Sequence, residues 1–364
     1  MKKLKKLKKP KVPEVPRVLK AALRRGKSTE EKVTEALANV PRITNETVTE
    51  HREEVLSSAR KYIYPLQHSK HRIVRISIGL FIGVLIVFFA YCGIALYKLQ
   101  SNSTFLYGVT KVIPFPVAKT GNRWVSYESY LFELRRNLHY YQTQQATNFA
   151  DKKNKSQLQG LKQLALQQVV DDAYVKQLAA QSHVSVTDRE VDNEVALVRS
   201  QNRLGSSDRV FKDVLNEFWG WSVDDFKREL KQQLLAQKVV AKLDTATVAR
   251  ADSALAQLNG GADFATLAAQ VSDSPTKANG GQFPAPIGES DRNVAPQITS
   301  QLFRLKPGEF SGVINTGFTL EIVKVGSVNG NKVTASDIQF VFKDIKTYSG
   351  PLAKKQPVHR YIKV

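Results

Sequence analysis

The chain has 364 residues, a formal net charge of +21 and a single cysteine, Cys92. One cysteine excludes an intramolecular disulfide, so the folded regions must be stabilised by core packing. The length allows more than one ordinary domain. The sequence contains no nucleophile elbow, zinc-protease helix motif or phosphate-binding loop, which argues against the common hydrolase classes.

The N-terminal segment, residues 1–72, is basic and begins MKKLKKLKKPKVPEVPRVLK. Its charge and its prolines predict a largely disordered cytoplasmic segment. Three roles fit such an arm: a solvated tail that fixes topology, contact with anionic lipid, and binding of nucleic acid. Nucleic acid is disfavoured because no aromatic residue is interleaved with the charges of the arm. Residues 28–62 have the pattern of one or two short helices, with Ser28 and Glu31 as a capping box.

Residues 76–97, ISIGLFIGVLIVFFAYCGIALY, form an uncharged apolar run. A helix of this length spans the bilayer core of roughly 30 Å, which predicts a transmembrane helix over residues 73–98. Residues 1–75 carry 20 Lys and Arg against 8 Asp and Glu, and few basic residues follow the run directly. The positive-inside bias therefore predicts a single-pass cell-membrane protein with a cytoplasmic N-terminus and its C-terminal domains outside.

Residues 99–243 are predicted to form a helical domain, in which the helical signal is continuous from about residue 120 to residue 243 and the stretch that begins VIPFPVAKTGNRWVS is strand-like. His139 and His183 have no acidic or cysteine partner at ligand spacing, which predicts surface histidines and no metal site. Two helix starts are marked by capping pairs. These pairs are Thr187 with Glu190 and Ser222 with Asp225.

Two strings in this region carry a family signal, SHVSVTDREV and GWSVDDFKRELKQQLL. Their order and form resemble the SurA-type N-terminal chaperone domain, in which a short turn precedes one helix and a Gly-Trp-Ser start opens a later one. The resemblance implies a cradle that binds unfolded, newly exported polypeptides. Phe218, Trp219 and Trp221 are candidate client contacts, with core packing expected for two of the three.

After Leu243 the pattern changes to short helices, Gly-rich turns and alternating strands, which predicts a small antiparallel sheet. GADFATLAAQVSDSPTKANGGQF and LKPGEFSGVINTGFTLEIVKV follow in order and resemble the parvulin-type (PpiC) peptidyl-prolyl isomerase domain. The resemblance assigns residues 244–345 to that domain and leaves a basic tail at 346–364. The expected fold class is α+β, with one transmembrane helix, a helical chaperone domain and a parvulin-like domain.

Parvulin domains normally begin with a strand, and no strand pattern precedes Ala251 here. TASDIQFVF has the form of that strand, so residues 333–342 are expected to fill its sheet position from the C-terminal side. A permuted arrangement of this kind is allowed because a sheet requires the strand and not its place in the chain.

The resemblance also assigns site residues, and acids stand where the family has histidines. The candidate catalytic positions are Glu321 and Asp337 at the two histidine positions, and Ser274 or the adjacent Asp273 at the Cys/Asp position. The candidate substrate-binding positions, which form the apolar proline pocket, are Phe283, Val294, Ile298 and Phe303.

Isomerisation of an X–Pro bond breaks no covalent bond and needs no cofactor or metal. It needs a pocket for the ring and a desolvated carbonyl, since amide resonance sets the barrier of about 18–20 kcal/mol. Two acids raise the polarity beside the twisting carbonyl. Isomerase activity and pure client binding by a holdase are therefore both open, as is a structural scaffold role in the cell envelope.

Overall fold

The computed structural model describes residues 29–38, 44–63, 66–200 and 207–364. The chain divides into two compact units, Met1–Val87 and Phe88–Val364. The first unit contains α1 (Thr29–Ala38), α2 (Asn45–Ile63) and most of α3 (Leu66–Gly93). Helices α1 and α2 confirm the short helices predicted over residues 28–62, whereas the basic arm predicted to be disordered lies outside the described residues. The predicted Ser28 cap lies outside the described residues.

The apolar run forms α3 and one following turn of π-helix, Ile94–Lys98. Among the described residues, Arg72–Lys98 is the one helical segment long and apolar enough to cross a membrane, and none of its most apolar window is buried. The end of the run differs from the prediction of a span to residue 98. Cys92, Ala95 and Leu96 are buried in the core of the second unit.

The helical domain opens with a short helix and a β-hairpin, as the sequence VIPFPVAKTGNRWVS indicates. Its elements are α4 (Thr104–Val112), β1 (Pro116–Thr120), β2 (Arg123–Ser126), α5 (Tyr127–Gln144), α6 (Lys155–Gln181), α7 (Asp188–Ser200), α8 (Asp208–Trp219) and α9 (Val223–Leu243). The core forms where α5 packs on α6, and it contains Tyr127, Leu131, Leu134, Leu166 and Val170. Burial of these apolar faces stabilises helices that propensity alone would leave marginal.

Both predicted helix caps are present. Glu190 accepts a hydrogen bond from the Thr187 amide at 2.8 Å, and the Glu190 amide donates to Thr187 Oγ1 at 3.3 Å. Ser222 and Asp225 form the same reciprocal box at the start of α9. Each box satisfies amides that a helix start leaves without partners.

The C-terminal segment is not a free basic tail, which corrects the expectation for residues 346–364. It forms α13 (Lys346–Lys355), which packs on α6, and β7 (Val358–Arg360), which pairs antiparallel with β1. The hairpin and β7 make a three-stranded sheet in the order β2-β1-β7. Ile362 is 3% exposed in the core of the helical domain, so the end of the chain completes that domain.

The parvulin-like domain lies between α9 and α13 and combines short helices with a four-stranded sheet. Its elements are α10 (Thr245–Asn259), α11 (Phe264–Val271), β3 (Ile287–Gly288), α12 (Pro296–Leu302), β4 (Ile314–Asn315), β5 (Thr319–Asn329) and β6 (Lys332–Val341). The sheet order is β3-β6-β5-β4, with antiparallel pairs. The segment TASDIQFVF thus occupies an inner sheet position, as the permuted arrangement predicts.

The register of β5 and β6 separates two faces of this sheet. Leu320 and Ile322 of β5, with Ile338 and Phe340 of β6, pack against α10 and α11. Side chains alternate along a strand, so Glu321, Val323, Asp337 and Gln339 lie on the opposite face. That opposite face is covered in part by α12.

Candidate functional site

The two acids expected at the family's histidine positions, Glu321 and Asp337, lie on one face of the parvulin-like sheet. Glu321 of β5 is opposite Gln339, and Asp337 of β6 is opposite Val323. Glu321 is 7% exposed and Asp337 is 2% exposed, which is rare for carboxyl groups without partners. The hydrogen-bond partners of each carboxyl group therefore decide how its burial is tolerated and in which direction its pKa shifts.

Asp337 is bound by hydroxyl groups. Thr276 Oγ1 donates to Asp337 Oδ1 at 2.5 Å, and Ser274 Oγ lies 2.7 Å from Thr276 Oγ1. Burial raises the pKa of Asp337, and the hydrogen bonds from Thr276 and Ser274 oppose that rise. No cation is among the causes of this shift, so the neutral carboxylic acid is favoured relative to an exposed aspartate.

Glu321 has a similar environment. Thr319 Oγ1 donates to Glu321 Oε1 at 2.7 Å, and Gln339 Nε2 donates to the same oxygen at 3.1 Å. Burial is the largest cause of the raised pKa of Glu321, and the charge of Asp337 raises it further, while both hydrogen bonds lower it. Two carboxyl groups that repel one another resist simultaneous ionisation.

Asp273, the other residue predicted for the Cys/Asp position, does not belong to this network. Its carboxylate accepts from Arg250 Nη2 at 2.8 Å and from the Val341 amide at 3.0 Å. The hydrogen bond from Arg250 is the main cause of its lowered pKa. Asp273 thus links Arg250 of α10 to Val341 at the end of β6. Ser274, in contrast, faces Asp337.

A glycine pair holds the hydroxyl-bearing segment against β6. The Asp337 amide donates to the Gly281 carbonyl at 2.9 Å, and the Gly281 amide donates to the Thr276 carbonyl at 3.0 Å. Gly281 has φ +83°, and a Cβ there would lie 2.3 Å from the Asp337 carbonyl oxygen. Only glycine fits this close approach without a backbone shift.

The four predicted pocket residues come together beside the acids. Phe283, Val294 and Phe303 are half-buried, and they pack on one cluster with Val323 and Ala335. Ile298 is 1% exposed in that cluster, so it forms the floor of the apolar surface and does not contact solvent.

Sequence reasoning missed three partners, Thr276, Thr319 and Gln339. Alternation along β5 places Thr319 on the face of Glu321, which was a readable signal. Gln339 could be paired with Glu321 only once the register of β5 and β6 was known. Among the described residues no group of three His, Cys, Asp or Glu side chains is placed to hold a metal ion.

The aromatic residues suggested as client contacts in the helical domain divide as expected. Trp221 is 9% exposed and stacks on Phe132, and Trp219 is half-buried beside it. Phe218 is 38% exposed. His139 is half-buried, and its Nε2 lies 3.0 Å from the Glu217 carbonyl oxygen.

Two family profiles match the chain over adjoining regions. The SurA-like N-terminal domain matches residues 67–240, and the PPIC-type PPIASE domain matches residues 234–327. The second match ends before β6 begins, so Asp337 lies outside it. This limit agrees with a first strand that is supplied from the C-terminal side.

Relatives carry both names. A chaperone SurA of Ralstonia nicotianae is 24% identical over 249 residues, which covers 54% of this chain and 49% of the relative. A foldase protein PrsA of Clostridium acetobutylicum is 22% identical over 220 residues and 65% of its length. The chain thus spans less than two thirds of these relatives. The foldase PrsA crystal structure from Streptococcus pneumoniae shares 21% identity over 52% of this chain and 76% of that one, with a TM-score of 0.17, too low to inform the fold.

The assignment rests on the two domain matches, on relatives of both kinds and on a parvulin-like sheet whose site positions come together on one face. The chain therefore contains a SurA-like N-terminal domain followed by a PPIC-type PPIase domain, and in this order of domains it is similar to the SurA and PrsA proteins.

Proposed function

We propose that this protein is a membrane-anchored, extracytoplasmic foldase that binds unfolded exported polypeptides and isomerises their X–Pro bonds. Its anchor is the apolar helix Arg72–Lys98, and its basic N-terminal segment stays in the cytoplasm, beside anionic lipid. The helical domain holds the client, and the parvulin-like domain acts on proline. The clients are exported chains that have not yet folded.

One observation carries the isomerase assignment. Glu321 and Asp337, on the adjacent strands β5 and β6, lie on the sheet face that also carries the apolar cluster of Phe283 and Phe303, and Thr276 binds Asp337 from outside the sheet. An apolar surface for the proline ring next to hydrogen-bonding groups for the peptide is the arrangement that twisting an amide requires.

The chemistry follows from the protonation of the acids. Burial raises the pKa of both Glu321 and Asp337, so each acid keeps its proton to a higher pH than an exposed carboxyl group does. A neutral carboxylic acid can donate a hydrogen bond, as an imidazole N–H can, whereas a carboxylate only accepts. Donation to the prolyl nitrogen or carbonyl stabilises the twisted amide, in which conjugation is reduced.

A holdase is the second candidate, and the replacement of both histidines favours it. In that case the same apolar surface binds proline-containing segments without accelerating rotation. The two functions are separated by an isomerisation assay on a proline peptide, carried out with the full chain in detergent micelles. A fragment that begins at residue 100 is unsuitable because it lacks the buried Cys92, Ala95 and Leu96.

Phe303→Ala tests the site itself. We expect loss of proline-peptide binding, with Phe318→Ala as the control because Phe318 is 63% exposed and lies outside the apolar cluster. Circular dichroism separates this effect from unfolding, because Phe303 is half-buried and its truncation also costs stability, up to about 3–5 kcal/mol for a fully buried phenylalanine. A folded Phe303→Ala protein that binds the peptide at full affinity would place the site elsewhere.

The anchor and the client are tested separately. Protease added to intact cells should digest residues 100–364 and spare the N-terminal region; the reverse pattern would refute the orientation. The full chain in micelles should also slow aggregation of a denatured exported protein. No delay at about tenfold molar excess would favour a scaffold without unfolded clients.

A further inference from the structure

The outer end of the apolar helix is part of the folded helical domain. Cys92, Ala95 and Leu96 are at most 4% exposed and share one core with Leu106 of α4. Tyr127 Oη donates a hydrogen bond to the Leu96 carbonyl at 2.5 Å. No flexible linker therefore separates the end of this helix from the domain.

The other side of the same helix end is apolar and open. Tyr91, Ile94 and Leu99 are 53%, 55% and 67% exposed. Phe88, further back along the helix, packs against the core that contains Leu106. The domain thus grips residues that belong to the apolar run, and α4 lies beside them.

Helix α4 is apolar on two sides, which is unusual for a helix at a water-facing surface. Leu106 is buried in the core, whereas Phe105 and Val112 are 59% and 83% exposed. Phe105 and Val112 are seven residues apart, so they project from one face of the helix. Nothing among the described residues covers that face.

Basic residues also stand at the C-terminal ends of the two helices that carry these apolar side chains. Lys98 and Lys111 are exposed, and Lys111 Nζ lies 4.5 Å from the centre of the Tyr107 ring. Arg135 lies over the same ring at 5.1 Å. Apolar side chains flanked by basic and aromatic groups match the acyl chains and phosphates of a bilayer interface.

We propose that the exposed face of α4, together with Tyr91, Ile94 and Leu99, inserts into the headgroup region of the outer leaflet. The helical domain then contacts the bilayer surface directly, and its client-binding surface lies at a fixed distance from the membrane. This inference rests on the membrane anchor proposed above.

The experiment measures depth at α4 in the full-length chain. In a Cys92→Ala background, Phe105→Cys and Phe318→Cys proteins are labelled with an environment-sensitive fluorophore. Each is reconstituted in phosphatidylethanolamine/phosphatidylglycerol vesicles containing nitroxide lipids. Phe318 is the matched control, since it is 63% exposed but lies in the parvulin-like domain. We expect blue-shifted emission at position 105 and quenching about threefold or more stronger than at position 318.

The outcomes separate the two proposals. Equal quenching at positions 105 and 318, in protein that floats with the vesicles, would refute the insertion of α4 into the leaflet and leave the membrane anchor intact. Failure of the protein to float with the vesicles would refute the membrane anchor and, with it, the insertion of α4. A label at position 105 that lipid does not quench but an unfolded client shields would make α4 a client surface instead. Val112→Cys repeats the test should Phe105→Cys fail to fold, since Val112 is 83% exposed.

Discussion

The helical domain and the parvulin-like domain both bury carboxyl groups, but they give them different partners. In the helical domain Glu133 forms an ion pair with Arg136 at 2.8 Å, and Arg136 lies 3.7 Å from Glu229. In the parvulin-like domain Asp337 and Glu321 are bound by threonine hydroxyls and an amide. One domain uses a cation, and the other uses neutral donors.

A paired cation and neutral donors both leave the pKa of the buried acid raised. Burial raises the pKa of Glu133 to about 7, because desolvation outweighs Arg136 and nearby Glu229 and Asp172 add to the rise. The pKa of Asp337 is also raised by burial, although the groups that bind it are uncharged hydroxyls and not a cation. The two sites should therefore differ most in what happens when one partner is removed.

Arg136→Met should have the largest effect. It leaves Glu133, whose side chain is 4% exposed, without its cation, while methionine retains packing against Trp221. Breaking a buried pair in this way costs about 3–5 kcal/mol. We expect that loss in urea unfolding at pH 8 and a clearly smaller loss at pH 5, where Glu133 is protonated.

Arg209→Met is the control, because Arg209 is 91% exposed in its pair with Asp213 and such pairs contribute about 0–1 kcal/mol. A loss for Arg136→Met that is equal at pH 5 and pH 8 would show that Glu133 is not the group responsible.

Thr276→Val should have a smaller effect, since it removes a hydroxyl and no charge. Asp337 Oδ1 then loses its 2.5 Å hydrogen bond while Ser274 remains a donor, so we expect a cost of about 0.5–1.5 kcal/mol, the net contribution of one hydrogen bond. Thr347→Val at an exposed position should be near neutral. Urea unfolding measures both, and equal midpoints for the two variants would contradict the role given to Thr276.

The pH dependence of stability comes next. Burial raises the pKa of Glu133 to about 7 and that of Asp172 to about 6, so the folded state keeps protons that the unfolded state releases. Their contribution is present below the unfolded pKa values, near 4, and is lost as pH rises through about 6 to 7. Thermal unfolding should show Tm falling over this range, with a shallower fall for Glu133→Gln.

A rise of Tm with pH over this range, or an unchanged slope in the glutamine variant, would mean that Arg136 keeps Glu133 ionised. The helical site would then resemble an ordinary ion pair, and the contrast between the domains would be one of charge as well as of partners.

The sequence predicted elements and motif positions well, and it failed where distant segments meet. Periodicity and capping pairs located α7 and α9, and strand alternation predicted β6 as a sheet strand. The role of residues 346–364 was missed because β7 is three residues long and gains its stability from pairing with β1. Local pattern carries no information about such a partner.

The same limit applied at the site. Asp273 and Ser274 are adjacent, and only the fold shows that Asp273 faces Arg250 while Ser274 faces Asp337. The sequence also did not predict that one end of the apolar run is buried. Cys92 and Leu96 are as apolar as the rest of the run, yet they lie in a protein core. Hydropathy reports how apolar a surface is and not what covers it.

Asp337→Asn should have the smallest effect on stability. Asparagine has the same shape and can still accept the Thr276 hydrogen bond, so if Asp337 is already neutral the free energy of unfolding should change by less than about 1 kcal/mol. The substitution also removes the proton-donating acid, because an amide donates through nitrogen alone. We therefore expect proline-peptide binding to persist and any isomerase rate to fall.

Glu321→His with Asp337→His should raise that rate, since two imidazoles restore donors at the family's positions. Full activity in Asp337→Asn would assign catalysis to the apolar surface alone, and a zero rate in the wild type and in the double-histidine variant would establish a holdase.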